Sequence, residues 1–251
     1  MRDFVDFSGE LARASGEIIM RYFRSGVAVE TKADESPVTI ADRQAEETMR
    51  EMIMKEYPDH GIIGEEFGVH NEGAEYQWVL DPIDGTKSFI SGTFLFGTLI
   101  GLMKGDQPIV GAINHPVTSH LLIGDGAETR LNGEAVRVSK TRELRDAVMC
   151  YSDFIHVGQY QNGIAFQQLM GMTSYNRTWG DCHGYFLVAT GYADIMLDPI
   201  MHLWDIVALI PVIEGAGGKI TSWNGGPPLS GNGIIASNGP LHSQVLRVLI
   251  A

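Results

Sequence analysis

Two aspartates and a glycine–threonine pair lie together in the first half of the chain and have the residue types of a metal and phosphate site. Asp81 and Asp84 follow a short apolar run, and Gly85 and Thr86 come directly after them. Hard divalent cations prefer carboxylate oxygens, and turns that expose backbone amides bind anions. A site that gathers both would hydrolyse or transfer phosphate. By themselves these residues are more typical of an ordinary turn, because Asp-Pro and Asp-Gly pairs are common turn signals.

Further acidic residues stand where predicted elements begin or end. Glu65 and Glu66 follow a short apolar run and lie between glycines, which is unusual but also fits a solvated loop. Asp42 falls in the first turn of a predicted helix, where a carboxylate complements the helix dipole. Function and helix stabilisation therefore both remain open for Asp42.

Composition narrows the classes of function. The chain has 251 residues, 44% of them hydrophobic and 20% charged, which is ordinary for a globular protein. A net charge of −13 argues against nucleic acid as a partner, and the chain contains no apolar run long enough to span a membrane. Two cysteines and an N-terminus without an apolar signal region predict a reduced, cytoplasmic protein.

Hydrophobic periodicity predicts the elements that must position these residues. Helices are predicted over residues 3–24, 39–57, 165–172 and 182–190, from 203 to 215 with a kink at Pro211, and over 241–250. Strands are predicted over residues 27–32, 77–80, 94–103, 109–115, 120–123, 147–152, 194–197, 219–221 and 234–237. The consecutive strands around 94–123 and a hairpin turn at 132–134 favour an antiparallel meander. We predict a layered α/β or α+β protein with sub-domains 1–143 and 144–251.

Four motifs in one order resemble the inositol monophosphatase family. They are Pro37–Asp42, Gly64-Glu65-Glu66, Asp81–Phe89, and Trp204–Ala208 followed by Glu214–Gly218. The resemblance extends over essentially the whole chain. It implies the layered αβαβα sandwich shared with fructose-1,6-bisphosphatase, a homodimer, lithium sensitivity and a small phosphorylated substrate.

The resemblance also implies roles for individual residues. Two Mg²⁺ ions, or three, would be bound per active site. Glu65, Asp81 and the Ile83 carbonyl would hold the first ion, and Asp81, Asp84 and Asp205 the second. All-oxygen ligands suit Mg²⁺.

The remaining implied roles concern water and phosphate. Glu65 and Thr86 would orient and deprotonate the attacking water, and the amides of Gly85 and Thr86 would hold phosphate oxygens. Asp42 would support Thr86 or a third, weaker ion. Lys32 lies in the loop that closes over the metals in this family, although a solvated lysine fits equally well.

Within the family, the run Arg177–Tyr185, Asp198-Pro199 and Lys87-Ser88 resemble the histidinol-phosphate phosphatase branch. Histidinol phosphate carries an ammonium group, and a pocket for a cation needs carboxylates. Asp181 and Asp198, with Asp84 and Asp205, would contact that substrate. Asp181 would otherwise be a helix N-cap and Asp198 a turn residue.

Several assignments stay open. Arg177 would contact phosphate or pair with Asp181. His183 and His202 fit packing or the surface, and the aromatic residues Trp179, Tyr185 and Trp204 fit the core or an aromatic wall for an imidazole. Segments 69–76 and 153–164 match no motif, and the second would set specificity if it lay over the pocket.

The expected reaction is hydrolysis of histidinol phosphate in histidine biosynthesis. The alternatives are an inositol-1-monophosphatase or a broad-range sugar or nucleotide phosphatase. A metal-binding scaffold that has lost catalysis is a further class, and the presence of Glu65, Thr86 and all three metal aspartates argues against it.

Overall fold

The computed structural model describes residues 4–32 and 37–250, and the predicted polar loop at 32–37 falls largely on residues outside this range. Among the described residues the α-helices are α1 (Phe4–Tyr22), α2 (Ile40–Glu56), α3 (Thr86–Ile90), α4 (Phe154–Tyr160), α5 (Gly163–Met172), α6 (Asp181–Ala189), α7 (Leu203–Ile206), α8 (Leu209–Gly215) and α9 (Gly239–Leu249). No helix in this part of the chain is both long and apolar enough to cross a bilayer.

The strands group into a two-stranded ribbon and two larger sheets. The ribbon consists of β1 (Val29–Thr31) and β2 (Pro37–Thr39). The first sheet contains β3 (Gly61–Gly64), β4 (Gly68–His70), β5 (Tyr76–Asp84), β6 (Gly97–Lys104), β7 (Gln107–His115), β8 (His120–Gly124), β9 (Thr129–Leu131) and β10 (Glu134–Ala135). The second contains β11 (Val148–Tyr151), β12 (Tyr175–Arg177), β13 (Ile195–Asp198), β14 (Gly218–Ser222) and β15 (Ile234–Asn238).

The first sheet has the order β10-β9-β8-β7-β6-β5-β3-β4. Neighbouring strands from β5 to β10 are antiparallel, so the predicted meander and the hairpin turn at 132–134 are confirmed. Only β3 and β5 run parallel. Because parallel strands point the same way, the ends of β3 and β5 deliver Glu65 and Asp81 to one edge of the sheet.

The strand that carries the central aspartates continues further than predicted. β5 does not end at Leu80 but runs to Asp84, with a register shift against β6 between Asp81 and Asp84. Pro82 lies in this shift, and proline cannot donate a ladder hydrogen bond, so it is accommodated at a bulge. The bulge leaves Asp81 and Asp84 on an irregular strand end rather than in a separate turn.

The second sheet has the order β12-β11-β13-β15-β14, with β11 parallel to β12 and to β13. The carboxyl ends of β11 and β13 therefore lie side by side, which places Ser152 next to Asp198. Ligands of α/β sheets bind at this kind of edge.

Three large apolar cores fill the spaces between the layers. Residues of α1 and α2 pack on the outer face of the first sheet, among them Leu11 and Met49. Residues of α6 and α8 fill the space between the two sheets, and residues of α5 and α9 cover the second sheet. The predicted αβαβα sandwich is confirmed. The two-sub-domain division stays a prediction, because the middle helical layer packs against both sheets.

Some predicted elements differ from the structure. The helix from 203 to 215 is two helices, α7 and α8, separated at 207–208. Pro211 does not kink a helix, because it occupies the first turn of α8, where an amide hydrogen has no partner within the helix. The helix Phe154–Tyr160 and the short strands Gly68–His70 and Tyr175–Arg177 were not predicted.

Three glycines in register bring α8 close to the first sheet. Gly101 pairs with Gly111, and Gly111 pairs with Gly124, so β6, β7 and β8 share one bare stripe. A Cβ on Gly111 would overlap the carbonyl oxygen of Ala208, and one on Gly101 would lie 3.1 Å from the Ala208 nitrogen. The stripe therefore sets how deeply the segment after Asp205 can pack.

Gly111→Ala is expected to lower the free energy of unfolding by about 1–3 kcal/mol, the usual cost of overpacking. The added methyl group must displace backbone of the 207–208 segment, which no side-chain rotation can relieve. Urea denaturation measures the change. Gly158→Ala is the matched control, since a Cβ there meets no atom within 4 Å, and its stability should equal or exceed that of the wild type.

Candidate active site

Carboxylates from three separate segments meet in one cavity. Glu65 follows β3, Asp81 and Asp84 end β5, and Asp205 lies in α7. They line a cavity of about 390 Å³ together with Ile83, Gly85, Thr86, Lys87 and Lys32. The structure thus brings together all five residues for which the sequence predicted a role as metal ligands.

Asp81, Asp84 and Asp205 form the tightest part of this group. Each offers a carboxylate oxygen, and the three oxygens lie within 4.8 Å of one another. Burial, and then the neighbouring carboxylates, raise the pKa of Asp81 and of Asp84 well above the ordinary value. Burial likewise raises the pKa of Asp205 to about 6. Three crowded carboxylates repel one another in their charged form.

A divalent cation fits these residues. The donor set is all oxygen, which suits Mg²⁺ better than a softer metal. Burial and mutual repulsion raise the pKa of these aspartates, and a bound cation would offset both effects. Glu65, Asp81, Asp84, Asp205 and the Ile83 carbonyl are the groups that would hold such ions.

Lys32 is the cation nearest Glu65. Its Nζ atom lies 2.7 Å from Glu65 Oε1 and 2.6 Å from Glu66 Oε1. Burial lowers the pKa of Lys32, but the hydrogen bonds with the two glutamates outweigh it, so the net pKa is raised. Burial raises the pKa of Glu66 to about 7. Lys32 is therefore bound between carboxylates and is not the solvated lysine that was the alternative.

Gly85 and Thr86 form the turn that opens α3. Gly85 is the N-cap and has a φ of 85°, a left-handed conformation that glycine adopts without strain. The Thr86 hydroxyl donates to the Ile83 carbonyl over 3.0 Å, and the Ile83 amide donates to Asp81 Oδ1 over 3.0 Å. These bonds tie the candidate phosphate-binding turn to the candidate metal ligands.

Asp42 stabilises the start of α2, which is one of the two roles left open for it. Its Oδ2 accepts hydrogen bonds from the Thr39 amide at 2.8 Å and the Thr39 hydroxyl at 2.6 Å, closing a capping box at the start of α2. Its Oδ1 is buried without a hydrogen-bond partner among the described residues. Within that same part of the chain the Thr86 hydroxyl bonds to Ile83 and not to Asp42. The predicted support of Thr86 by Asp42 is absent from this hydrogen-bond network.

A second cavity, of about 360 Å³, opens beside the first and shares Asp84, Lys87, Asp181 and Asp205 with it. Its other lining residues come from the ends of β11 and β13 and from the start of α4; they include Ser152, Asp153, His156, Thr178, Asp198 and Met201. Segment 153–164, unassigned from sequence, thus contributes two polar residues to this wall. A molecule bound at the carboxylate cluster has room to extend here.

Asp181 does not cap α6. Gly180 is the N-cap, and Asp181 is the first helical residue, with a left-handed φ of 52°. Such a conformation is uncommon for a residue other than glycine and occurs often at functional sites. The Asp181 amide donates to Ser152 Oγ over 2.8 Å, and the next amide, of Cys182, donates to Asp84 Oδ2. Burial raises the pKa of Asp181 to about 6.

Asp198 is the more deeply buried of the two pocket acids, with 4% of its surface exposed. Burial raises its pKa to about 7, while hydrogen bonds with the hydroxyls of Ser152 and Tyr185 oppose the rise. Its Oδ2 has no hydrogen-bond partner among the described residues. A buried acceptor without a partner costs stability, so Asp198 is poised for a donor in the cavity.

Arg177 lies away from both cavities. It is exposed, its Nη1 donates to the Asn176 carbonyl, and its guanidinium lies 5.2 Å from the centre of the Tyr175 ring. In the described chain Arg177 forms no ion pair with Asp181 and lines neither cavity. Its role as a substrate-binding residue stays a prediction.

Aromatic and histidine residues divide between core and surface. Tyr185 is fully buried, whereas Trp179 is 38% exposed. His202 stacks on Trp204 with ring centres 4.9 Å apart, and both line the first cavity. His183 is partly buried and contacts the rings of His115 and Phe186. The cavity therefore has an aromatic side, but at the metal cluster rather than around Asp198.

Ser152, Asp153 and His156 were missed by sequence reasoning. Ser152 accepts a hydrogen bond from the Asp181 amide and lies beside Asp198, yet it is a single serine after a strand and carries no local signal. Asp153 caps α4 through the amides of Ile155 and His156. An N-cap pattern in segment 153–164 would have predicted this helix, but not its place over the cavity.

Adding Mg²⁺ is expected to raise the melting temperature more at about pH 8 than at about pH 5.5. Asp205 and Asp198 have raised pKa values in the folded state, so the folded protein binds protons that the unfolded chain has lost. Without metal, the contribution of these groups to the free energy of unfolding therefore falls as pH rises through about 6 to 7. A bound cation removes that loss. Thermal unfolding with Mg²⁺ or a chelator tests this, and equal increments at both pH values would contradict it.

Comparison with known proteins supports a single family. The inositol monophosphatase family matches residues 1–250. The bifunctional phosphatase IMPL2 of Arabidopsis thaliana is 40% identical over 98% of this chain and 75% of its own length. A histidinol-phosphatase of Chlorobaculum parvum is 35% identical over 96% of this chain and 94% of its own.

A solved structure agrees with these sequences. An inositol monophosphatase from Zymomonas mobilis has a TM-score of 0.88 and 32% identity, with 100% of both chains covered. Its layered fold is the one described above. The chain belongs to the inositol monophosphatase family and is a phosphatase.

Proposed function

We propose that the protein is a Mg²⁺-dependent phosphate monoester hydrolase that converts histidinol phosphate and water to histidinol and phosphate. The observation that carries the choice of substrate is the pair Asp181 and Asp198, one half-buried and one buried acid in the cavity beside the carboxylate cluster. A second support is the likeness to a relative named as a histidinol-phosphatase.

The cluster supplies the place for the ions and the phosphate. Glu65, Asp81, the Ile83 carbonyl, Asp84 and Asp205 would hold two or three Mg²⁺. Bound there, the ions would lower the pKa of a water and neutralise charge on the phosphate. The amides of Gly85 and Thr86 open α3 at this cavity and would donate to phosphate oxygens.

Glu65 and Thr86 flank the attacking water in this proposal. The Thr86 hydroxyl already donates to the Ile83 carbonyl, so its oxygen is free to accept a hydrogen bond from the water. Glu65 would take the proton, because a carboxylate beside the water is a general base. Lys32 must then leave Glu65 Oε1, to which it is now hydrogen-bonded.

The second cavity would receive the amino alcohol. Histidinol carries an ammonium group and an imidazole, whereas inositol carries hydroxyls. Within the described residues Asp198 Oδ2 is a buried acceptor without a partner, and the ammonium group is a donor with the opposite charge. Ser152 accepts from the Asp181 amide and lines the same cavity as both acids, so both would face the same leaving group.

Phosphate release with Mg²⁺ tests the proposal directly. The rates of hydrolysis of histidinol phosphate and of myo-inositol 1-phosphate are compared at equal low concentration, where the rate reports kcat/KM. We expect a large preference for histidinol phosphate. Equal rates, or a preference for the inositol ester, would refute this substrate assignment and leave the phosphatase chemistry in place.

A further inference from the structure

A buried ion pair on α2 holds the turn that carries Glu65. Asp42, Glu46 and Arg50 lie one helical turn apart and share one face of this helix. The Glu46 side chain has no exposed surface, and Arg50 Nη1 lies 3.0 Å from Glu46 Oε1. Burying the Glu46 carboxylate costs free energy even with a guanidinium beside it, so its other hydrogen-bond partners must help to offset that cost.

Those partners are the backbone amides directly after Glu65. Glu46 Oε2 accepts from the Glu66 amide over 2.7 Å, and Glu46 Oε1 accepts from the Phe67 amide over 3.2 Å. Arg50 extends the support, because its Nη1 also donates to the Gly68 carbonyl over 3.0 Å. One carboxylate thus fixes both amides of the turn.

The residues before the turn are fitted to the same carboxylate. A Cβ on Gly64 would overlap Glu46 Oε1, so only glycine lets Glu46 reach the turn. On the other side, the Glu65 amide donates to the Leu80 carbonyl over 3.1 Å, one residue before Asp81. The backbone of Glu65 is therefore anchored to the first sheet by its own amide and to α2 by the amide of the next residue.

We infer that Glu46 is a positioning residue for the metal site. It contacts neither the cavity nor the aspartate cluster; instead it fixes the turn from which Glu65 reaches the site where the first cation would bind. The Glu65 side chain alone has several rotamers, and the fixed backbone limits which of them can place the carboxylate beside Asp81. The inference rests on the proposed function, in which Glu65 is a metal ligand.

Glu46→Gln tests the role of this carboxylate. Glutamine keeps the size of the side chain, but its NH₂ group must face one of the three donors that the carboxylate now satisfies. We expect Mn²⁺, used as the probe ion and followed by electron paramagnetic resonance, to bind about 10- to 100-fold more weakly, as when other groups that orient metal ligands are lost. The KM for the phosphate ester at saturating metal should stay unchanged.

Two controls separate positioning from general loss of stability. Glu47→Gln makes the same change of charge on an exposed residue of the same helix and should bind Mn²⁺ like the wild type. Val245→Ala removes buried methyl groups in the core beneath α9, and it should lower the melting temperature without weakening Mn²⁺ binding. If Glu46→Gln weakens Mn²⁺ binding by no more than Val245→Ala does, the inference is overturned.

The outcomes for the inference and for the proposed function differ. If the wild type binds no Mn²⁺, the proposed metal site itself fails. If the wild type binds Mn²⁺ and Glu46→Gln binds it equally well, only the positioning role fails. Should Glu46→Gln not fold, Glu46→Asp decides: it keeps the charge but shortens the side chain by one methylene, which draws the carboxylate away from the Glu66 and Phe67 amides. Weaker Mn²⁺ binding then supports the inference, and unchanged binding refutes it.

Discussion

Replacing Asp81 with asparagine is expected to lower kcat/KM for phosphate ester hydrolysis by about 10³-fold, several kcal/mol of transition-state stabilisation. Asp81 is 2% exposed, and its carboxylate interacts with those of Glu65, Asp84 and Asp205. In the proposed mechanism it is the ligand shared by both ions, so one substitution weakens both sites.

The same variant should be more stable than the wild type when metal is absent. Burial and three neighbouring carboxylates raise the pKa of Asp81, which means that its charged form is unfavourable in the folded protein. A neutral amide removes that repulsion. Thermal unfolding in chelator should therefore show a higher melting temperature for Asp81→Asn and a smaller increment when Mg²⁺ is added.

Asp106→Asn is the control for this experiment. Asp106 is exposed in the turn between β6 and β7. Its replacement by asparagine makes the same change of charge away from the cavity. Its kcat/KM and its response to Mg²⁺ should match the wild type. Full activity of Asp81→Asn would mean that the phosphatase site lies elsewhere.

Replacing Asp198 with asparagine should change the choice of substrate. We expect kcat/KM for histidinol phosphate to fall by about 10- to 100-fold, the effect of losing one hydrogen bond between charged groups. Hydrolysis of myo-inositol 1-phosphate should change much less, because its hydroxyls can bond to an amide as well as to a carboxylate. The ratio of the two kcat/KM values is the measurement.

The size of this effect depends on burial. Asp198 is 4% exposed and has one oxygen without a partner among the described residues, so water cannot replace the missing charge. Asp125→Asn, in the exposed turn between β8 and β9, is the control and should leave the ratio unchanged. An equal fall for both substrates would show that Asp198 supports the fold of the pocket and does not select the leaving group.

The sequence by itself determined the residues that form the candidate metal and phosphate site. One short run contains Asp81, Asp84, Gly85 and Thr86. Their spacing alone brings the two carboxylates close to the amides of the following turn, whatever surrounds them. Hydrophobic periodicity similarly predicted α1, α2, the meander and the closing helix, since each buries one regular stripe. The motif around Asp205 could be added only through resemblance, because its distance along the chain says nothing about its place in space.

Oligomeric state and cellular location remain predictions. A homodimer and a cytoplasmic protein were inferred from the family likeness and from composition, and they need a sizing experiment and a localisation experiment. The choice of Mg²⁺ as the ion and the lithium sensitivity are likewise predictions.

Only the tertiary structure decided which residues surround the site. Ser152 lies beside Asp198 because β11 and β13 are parallel neighbours, and the glycine stripe that seats the 207–208 segment exists only in the register of three strands. Arg177 lay in a promising motif, yet it points to Tyr175 and the surface. Local spacing encodes contacts within a turn or a helix, whereas contacts between distant segments depend on sheet order and register, which no short motif specifies.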